Sequence, residues 1–108
     1  MARGLERGDV RLYQFDRPDR LRPVLVLTRS GSIDFLTKVT IAPITSTVRG
    51  TSSEVQMDES DGMKGPCAIN LHNLTTVQQE HLGDRITKLS DARMEEVCAA
   101  LRFALGCD

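Results

Sequence analysis

The feature of this sequence that most limits its possible folds is an uninterrupted apolar run, VLVL (24–27), set among arginines. A short run without polar alternation predicts a strand that is covered on both faces of its sheet. Arg20 and Arg22 precede the run, Arg29 follows it, and Pro23 comes directly after Arg22. A buried strand that begins on an arginine and a proline needs either a structural or a functional explanation.

Further short segments with alternating or continuous apolar character indicate a small β-rich domain. We predict strands at DVRLYQF (9–15), PVLVLT (23–28), FLTKVTIAPI (35–44) and EVQM (54–57), with GSID (31–34) as a turn. Because Pro43 cannot donate to a strand ladder, the third strand is predicted to lie at a sheet edge or to be bulged near its end. The polar stretch TSTVRGTSSE (45–54) is predicted to be a mobile loop, either functional or merely solvated.

Alternation continues in CAINLHNL (67–74), which would place Ile69 and Leu71 on one face and Asn70 and His72 on the other. A helix is predicted after Ser90, a suitable N-cap, and before Gly106. Its apolar residues recur at three- and four-residue spacing and should pack on the sheet: Met94, Val97, Cys98, Leu101 and Leu105. The expected fold class is therefore mainly β with a C-terminal α-helix.

With 108 residues, 40% of them apolar, the chain fits one compact domain spanning 1–108. It contains no run of roughly 18 apolar residues and no apolar signal-peptide centre, so a cytoplasmic protein without membrane contact is expected. The net charge of −1 disfavours general nucleic-acid affinity, so any basic groups that bind nucleic acid must be concentrated locally. Cys67, Cys98 and Cys107 lack C-x-x-C spacing and are expected to be reduced packing residues.

Familiar catalytic motifs such as G-x-S-x-G, G-x-x-x-x-G-K and H-E-x-x-H are missing from the sequence. Arg22 and the polar pair Thr45 and Ser46, which follows VTIAPI (39–44), remain as candidates. An arginine at a strand end can rest its apolar stem on the sheet and offer its guanidinium to a phosphate. In the structural alternative, Arg22 pairs with a carboxylate such as Asp16 and Thr45 caps a loop. The residues alone leave both open.

Two segments, RPVLVL (22–27) and VTIAPITS (39–46), resemble the motifs by which the MazF/PemK family of toxin endoribonucleases is recognised. GPCAINLHNLTTV (65–77) and LGDRITKLSDARMEEVCAALRFALG (82–106) continue in the family's order, so the similarity runs from RGDVRLYQF (7–15) to the terminal helix. The resemblance implies an SH3-like small β-barrel with helices, assembled as a homodimer. It also implies cleavage of single-stranded RNA without a metal or cofactor, leaving a 2′,3′-cyclic phosphate and a 5′-hydroxyl, and neutralisation by a cognate MazE-like antitoxin.

By position, the family's catalytic arginine and threonine correspond to Arg22 and Thr45. Arg20, Ser46, Asn70 and Asn73 lie beside them, by chain neighbourhood or by resemblance, and are expected to contact RNA. The general base is unassigned, and His72 is a candidate on chemical grounds alone. No metal ligands are expected.

The sequence also departs from the family pattern in three places. DRPDRL (16–21) is short for the loop between the first two strands, Arg11 replaces an aromatic residue, and His72 replaces an acidic one. These changes should affect the RNA sequence preference more than the reaction. Two other functions stay open: a CcdB-like gyrase-binding toxin, disfavoured because the chain has no Trp, and a non-catalytic SH3-like interaction module, disfavoured by its few aromatic residues.

Overall fold

The computed structural model of the chain describes residues 4–15 and 21–108. In chain order its elements are β1 (Asp9–Gln14), β2 (Leu21–Val26), α1 (Ser30–Ile33), β3 (Lys38–Thr45), β4 (Glu54–Met57), β5 (Cys67–Asn70), β6 (Thr75–Gln78), β7 (Leu82–Lys88) and α2 (Asp91–Leu105). Two 3-10 turns, Glu59–Asp61 and Gln79–His81, lie between strands. The predicted class, mainly β with a C-terminal helix, is confirmed.

The strands form one antiparallel sheet in the order β4-β5-β3-β2-β1-β7, and β6 pairs with β3. Within the described residues the end strands β4 and β7 do not pair, so the sheet is open. The description of the fold as a barrel therefore holds only loosely. None of the described helices is long and apolar enough to cross a membrane.

Strand β2 separates two hydrophobic clusters, as its unbroken apolarity predicts. Leu25 and Leu27 belong to the larger cluster, which α2 covers through Val97, while Val24 and Val26 belong to the smaller cluster on the other face. Val24, Leu25 and Val26 are fully buried. Because both faces are covered, a polar residue can be accommodated on β2 only where the cover ends.

Strand β3 lies in the middle of the sheet, so the first alternative predicted from Pro43, an edge strand, is wrong. The second alternative, a bulge, is absent from the β2–β3 register, which runs without a shift to Pro43. Thr40 directs its backbone groups towards β2, since its carbonyl accepts from Leu27 N and its N–H donates to Thr28 Oγ1. Strand alternation then turns the nitrogen of Pro43 to the opposite edge. On that edge the partner changes from β6, which ends its pairing at Ile41, to β5, which begins at Ile44. Pro43, which has no backbone N–H, therefore lies where the partner of β3 changes from β6 to β5.

Two strands, β6 and β7, were not predicted, and the predicted GSID turn is the short helix α1. Strand β5 ends at Asn70, so His72 does not alternate with it; its backbone N–H instead donates to Asn70 Oδ1 at 2.9 Å. Ile69 and Leu71 are both fully buried, as predicted.

Helix α2 begins and ends where the sequence predicts. Ser90 Oγ accepts from Arg93 N at 3.2 Å, and Gly106 closes the helix in the left-handed conformation at φ 71°. Leu105 is an exception in the predicted apolar stripe, because it is 61% exposed. Cys67 is buried and Cys98 half-buried, but Cys107 is exposed, so the prediction of a packing role is wrong for Cys107.

Candidate functional site

Arg22 and Thr45 occupy facing positions on neighbouring antiparallel strands. Strand β2 pairs with β3 at Val24 and Pro43, and this register, continued by two residues, sets Arg22 opposite Thr45. Directly opposite residues in an antiparallel pair project their side chains from the same face. The arginine and the threonine therefore emerge side by side from one face of the sheet.

The arginine marks the point at which the covered part of that face ends. Val24, two residues further along the same face, is fully buried in the smaller cluster, whereas Arg22 is half-buried. Its apolar stem can continue the packing of β2 while its guanidinium reaches solvent. The buried strand therefore begins on an arginine because this residue lies where the covered part of the face ends.

A polar cleft of about 420 Å³ opens at this position. The residues that line it come from the ends of β2, β3, β4 and β5, from the loop after β3 and from the turn between β5 and β6: Arg22, Pro43, Ile44, Thr45, Ser46, Thr47, Arg49, Glu54, Asn70 and Asn73. Predicted positions that are distant in sequence, Thr45, Asn70 and Asn73 among them, thus meet in one cleft.

An apolar cleft of about 760 Å³ adjoins the polar cleft, and Arg22, Ile44, Thr45 and Ser46 line both. The remaining lining residues of the apolar cleft are Leu12, Leu21, Pro23, Met63, Lys64, Gly65, Pro66, Cys67 and Ile86. Burial, followed by the negative charges of Asp61 and Asp58, raises the pKa of the Cys67 thiol. That thiol is therefore protonated near neutral pH and is not an activated nucleophile.

The positions of the other predicted site residues divide into three cases. Ser46, Asn70 and Asn73 line the polar cleft. His72 is exposed and is absent from the described lining of both clefts, so the geometry does not favour it as the base. Arg20 lies outside the described residues, as does Asp16, the suggested structural partner of Arg22.

Thr45 has a local structural role and also lines the cleft. Its Oγ1 accepts a hydrogen bond from Thr47 N at 3.1 Å, as the loop-capping alternative expected. A hydroxyl can accept and donate at the same time. The bond to Thr47 therefore fixes the oxygen and leaves the hydroxyl hydrogen available to a ligand.

Arg49 and Glu54 line the polar cleft but were not predicted to belong to the site. Both come from the polar segment 45–54, for which the sequence left a functional and a solvated loop equally open. The described lining of the two clefts carries the basic groups of Arg22, Arg49 and Lys64 and the single carboxylate of Glu54. This local positive balance contrasts with the net charge of −1 for the chain.

Metal-ligating side chains do not converge anywhere in residues 4–15 and 21–108: no group of three His, Cys, Asp or Glu side chains is close enough to hold an ion. The Glu54 carboxylate and the Cys67 thiol apart, the polar side chains that line the clefts carry guanidinium, ammonium, hydroxyl and amide groups. Such groups bind phosphates and the edges of bases.

Comparison with known proteins assigns the chain to a family. The model of the PemK-like, MazF-like toxin of type II toxin–antitoxin systems matches residues 6–105. The probable endoribonuclease MazF5 of Mycobacterium tuberculosis is 39% identical over 87 residues, which cover 80% of each chain.

Solved structures agree with this match. The Mycobacterium tuberculosis toxin MazF-mt6 superimposes with a TM-score of 0.84 at 35% identity, covering 93% of this chain and 98% of that one. A mycobacterial endoribonuclease solved in complex with its cognate antitoxin gives a TM-score of 0.87 at 26% identity, covering 97% and 98%. The chain therefore belongs to the PemK/MazF family of toxins of type II toxin–antitoxin systems, and its homologues are MazF endoribonucleases.

Proposed function

We propose that this chain is an endoribonuclease toxin that cuts single-stranded RNA at a centre formed by Arg22 and Thr45. The observation that carries the proposal is that these two residues lie together in the wall shared by both clefts, just past the Val24–Pro43 pair that ends the β2–β3 ladder. The RNA 2′-hydroxyl oxygen loses its proton and attacks the adjacent phosphorus, the bond from phosphorus to the 5′-oxygen breaks, and the departing 5′-oxygen takes up a proton from solvent. The products end in a 2′,3′-cyclic phosphate and a 5′-hydroxyl.

The nucleophile in this reaction belongs to the substrate, so the protein has to align the phosphate and stabilise charge. The guanidinium of Arg22 donates two hydrogen bonds in a plane, which suits two non-bridging oxygens as the pentavalent phosphorane gains negative charge. The hydroxyl of Thr45 donates a hydrogen bond to a non-bridging oxygen or to the leaving oxygen.

Neither residue is suited to remove the proton of the 2′-hydroxyl. A guanidinium stays protonated near neutral pH, and a threonine hydroxyl is a very weak base. The pair is therefore assigned to binding and charge stabilisation, and the 2′-hydroxyl proton leaves to a separate acceptor.

The described aromatic residues offer little support for a peptide-binding module. Tyr13 and Phe15 pack on each other, with ring centroids 4.8 Å apart, and lie against the smaller hydrophobic cluster. Phe35 and Phe103 are exposed, and none of these four rings belongs to the described lining of either cleft. A groove for proline-rich peptides depends on such rings, which favours RNA as the ligand.

The proposed partners are single-stranded RNA and a cognate MazE-like antitoxin. The active form is a homodimer in the cytoplasm, and the reaction uses no cofactor. An antitoxin is supported by the similar mycobacterial endoribonuclease that was solved with one.

The test incubates the purified protein with a mixed pool of single-stranded RNA in EDTA, followed by sequencing and chemical typing of the new ends. We expect cuts at a short defined motif, each with a cyclic phosphate on one side and a 5′-hydroxyl on the other. Absence of new ends, or ends bearing a 5′-phosphate, would contradict the proposal.

A further inference from the structure

The loop after β3 is tied to β4 by one carboxylate. Glu54 Oε1 accepts hydrogen bonds from Arg49 N at 3.0 Å and from Gly50 N at 2.9 Å. Gly50 has a φ of 72°, a left-handed conformation in which a glycine is favoured. These two bonds therefore hold the loop in a defined turn at the position of Arg49.

Glu54 is itself placed at the cleft by strand pairing. It lies opposite Asn70 across β4 and β5, and both residues line the polar cleft. Val55, the next residue of β4, points into the larger hydrophobic cluster. Because β4 is fixed by its buried face, the Glu54 carboxylate is a firm anchor for the loop.

The guanidinium of Arg49 has no hydrogen bond or ion pair with any described side chain. Its backbone is held by Glu54, its side chain is exposed, and it lines the same cleft as Arg22. An RNA strand in this cleft carries a phosphate at every nucleotide, so a second guanidinium can meet a phosphate next to the one that is cleaved.

We propose that Arg49 binds an RNA phosphate next to the scissile one and that Glu54 is the positioning residue that fixes Arg49 in the cleft. The inference rests on the proposed RNA cleavage. Glu54 acts through the loop backbone, and its negative charge is partly compensated by the two backbone N–H groups that donate hydrogen bonds to it.

Glu54 is also the one carboxylate in the described lining of the clefts, which makes a general-base role the competing assignment. The two roles differ in what they require of the side chain. Positioning needs an acceptor oxygen at Oε1, which glutamine also supplies. Proton abstraction needs the carboxylate itself.

The first experiment measures cleavage of a single-stranded RNA oligonucleotide that carries the motif found by end sequencing. We expect Arg49→Ala to raise KM roughly three- to tenfold with kcat little changed, because a lost phosphate contact weakens ground and transition states alike. Arg102→Ala is the matched control, since Arg102 is an exposed arginine at the end of α2, away from both clefts.

The second experiment measures binding of the same oligonucleotide with a 2′-deoxy nucleotide at the cleavage position, which removes the nucleophile. The slope of log affinity against log salt should fall by about 0.7 in Arg49→Ala, the value for one phosphate contact on a single strand. Arg102→Ala should leave the slope unchanged.

The third experiment tests the positioning role. Glu54→Ala should raise KM about as much as Arg49→Ala, Glu54→Gln should restore most of the affinity, and the double variant Arg49→Ala/Glu54→Ala should be little worse than either alone. A loss of kcat in Glu54→Gln equal to that in Glu54→Ala would instead identify a general base and overturn the proposal.

The outcomes separate this inference from the proposed function. If the wild-type protein makes no cuts, the proposed function fails. If the wild-type protein cuts RNA while Arg49→Ala matches Arg102→Ala in KM and salt slope, only the assignment of Arg49 and Glu54 is wrong.

Discussion

Arg22 of β2 and Thr45 of β3 lie just past Val24 and Pro43, the last pair of the β2–β3 ladder, and share the wall of two adjoining clefts. Arg22 comes just before the buried part of β2 and Thr45 just after that of β3, so the sheet itself holds both residues in place. A site on strands is positioned more firmly than a site on loops alone, which matters for a reaction that depends on alignment.

The first prediction concerns the charge at position 22. Arg22→Ala should lower kcat/KM by at least about a hundredfold, because it removes a donor that stabilises the developing charge. Arg22→Lys should recover little of the rate, since a point ammonium does not reproduce the planar fork. Cleavage of the RNA oligonucleotide is the measurement, with circular dichroism as the check of folding. A folded alanine variant that cuts at the wild-type rate would remove Arg22 from the centre.

The hydroxyl at position 45 gives the second prediction. Thr45→Ala should also lower kcat by about a hundredfold, whereas Thr45→Ser should keep most of it because the hydroxyl remains. Thr76→Ala provides the control, because Thr76 is an exposed threonine of β6 outside the described lining of both clefts. Equal rates in the alanine and serine variants at position 45 would show that the hydroxyl takes no part.

The sequence predicted best those elements whose signal is local. Ser90 and Gly106 mark the ends of α2, and the apolar run in β2 indicated the two covered faces that the structure has. Strands β6 and β7 were missed because they lack a strong apolar alternation: β7 has one buried residue, Leu82, and its remaining positions are half-buried or exposed. Their pairing depends on the neighbouring strands rather than on their own composition.

The residues of the site likewise divide into those with a local signal in the sequence and those without one. Arg22 and Thr45 were indicated by their motifs. Arg49 instead reaches the cleft through a loop whose shape depends on two hydrogen bonds to Glu54, four and five positions away, and Glu54 reaches it through the pairing of β4 with β5. Pro43 was misjudged for a related reason. A change of strand partner along one edge of β3 arises from the whole sheet, and no local pattern reveals it.

Recognition of the RNA sequence gives the third prediction. Asn70 Oδ1 accepts from His72 N, which leaves the amide hydrogens of Asn70 free to meet a base edge, and Asn73 lines the same cleft. Asn70→Ala and Asn73→Ala should shift the distribution of cut sites more than the rate. His72→Ala is the control. Because His72 is exposed and lies outside the described lining, it should change neither, contrary to the effect on sequence preference that its replacement of an acidic residue suggested. Identical cut-site profiles for all variants would exclude both asparagines from base recognition.

An ion pair between Asp61, in the connection from β4 to β5, and Arg93 of α2 gives the fourth prediction. Arg93 Nε lies 2.9 Å from Asp61 Oδ1, and the hydrogen bond from Arg93 lowers the pKa of the Asp61 carboxyl. A lowered pKa stabilises the fold above the ordinary carboxyl range and loses that contribution as pH falls through the folded-state value. Arg93→Ala should lower the free energy of unfolding by about 1 kcal/mol at neutral pH, and by much less near pH 2.

Urea unfolding at the two pH values measures this difference. Because Arg93 also contacts Glu96 at 3.1 Å, Glu96→Ala is the matched control and should cost less than Arg93→Ala. A destabilisation by Arg93→Ala that is the same at both pH values would assign the effect to packing instead of the ion pair.

The last prediction concerns the antitoxin. An enzyme that needs only RNA to act must be held inactive by a tight inhibitor, and the positive clefts around Arg22 and Arg49 favour an acidic segment that replaces RNA phosphates and folds as it binds. Expression of the chain alone should arrest growth, Arg22→Ala should not, and co-expression of the small open reading frame immediately upstream should restore growth. Affinity of the purified complex should fall as salt rises, with part of it retained through apolar contacts in the adjoining cleft. Harmless accumulation of soluble, folded wild-type protein without a partner would contradict the toxin assignment.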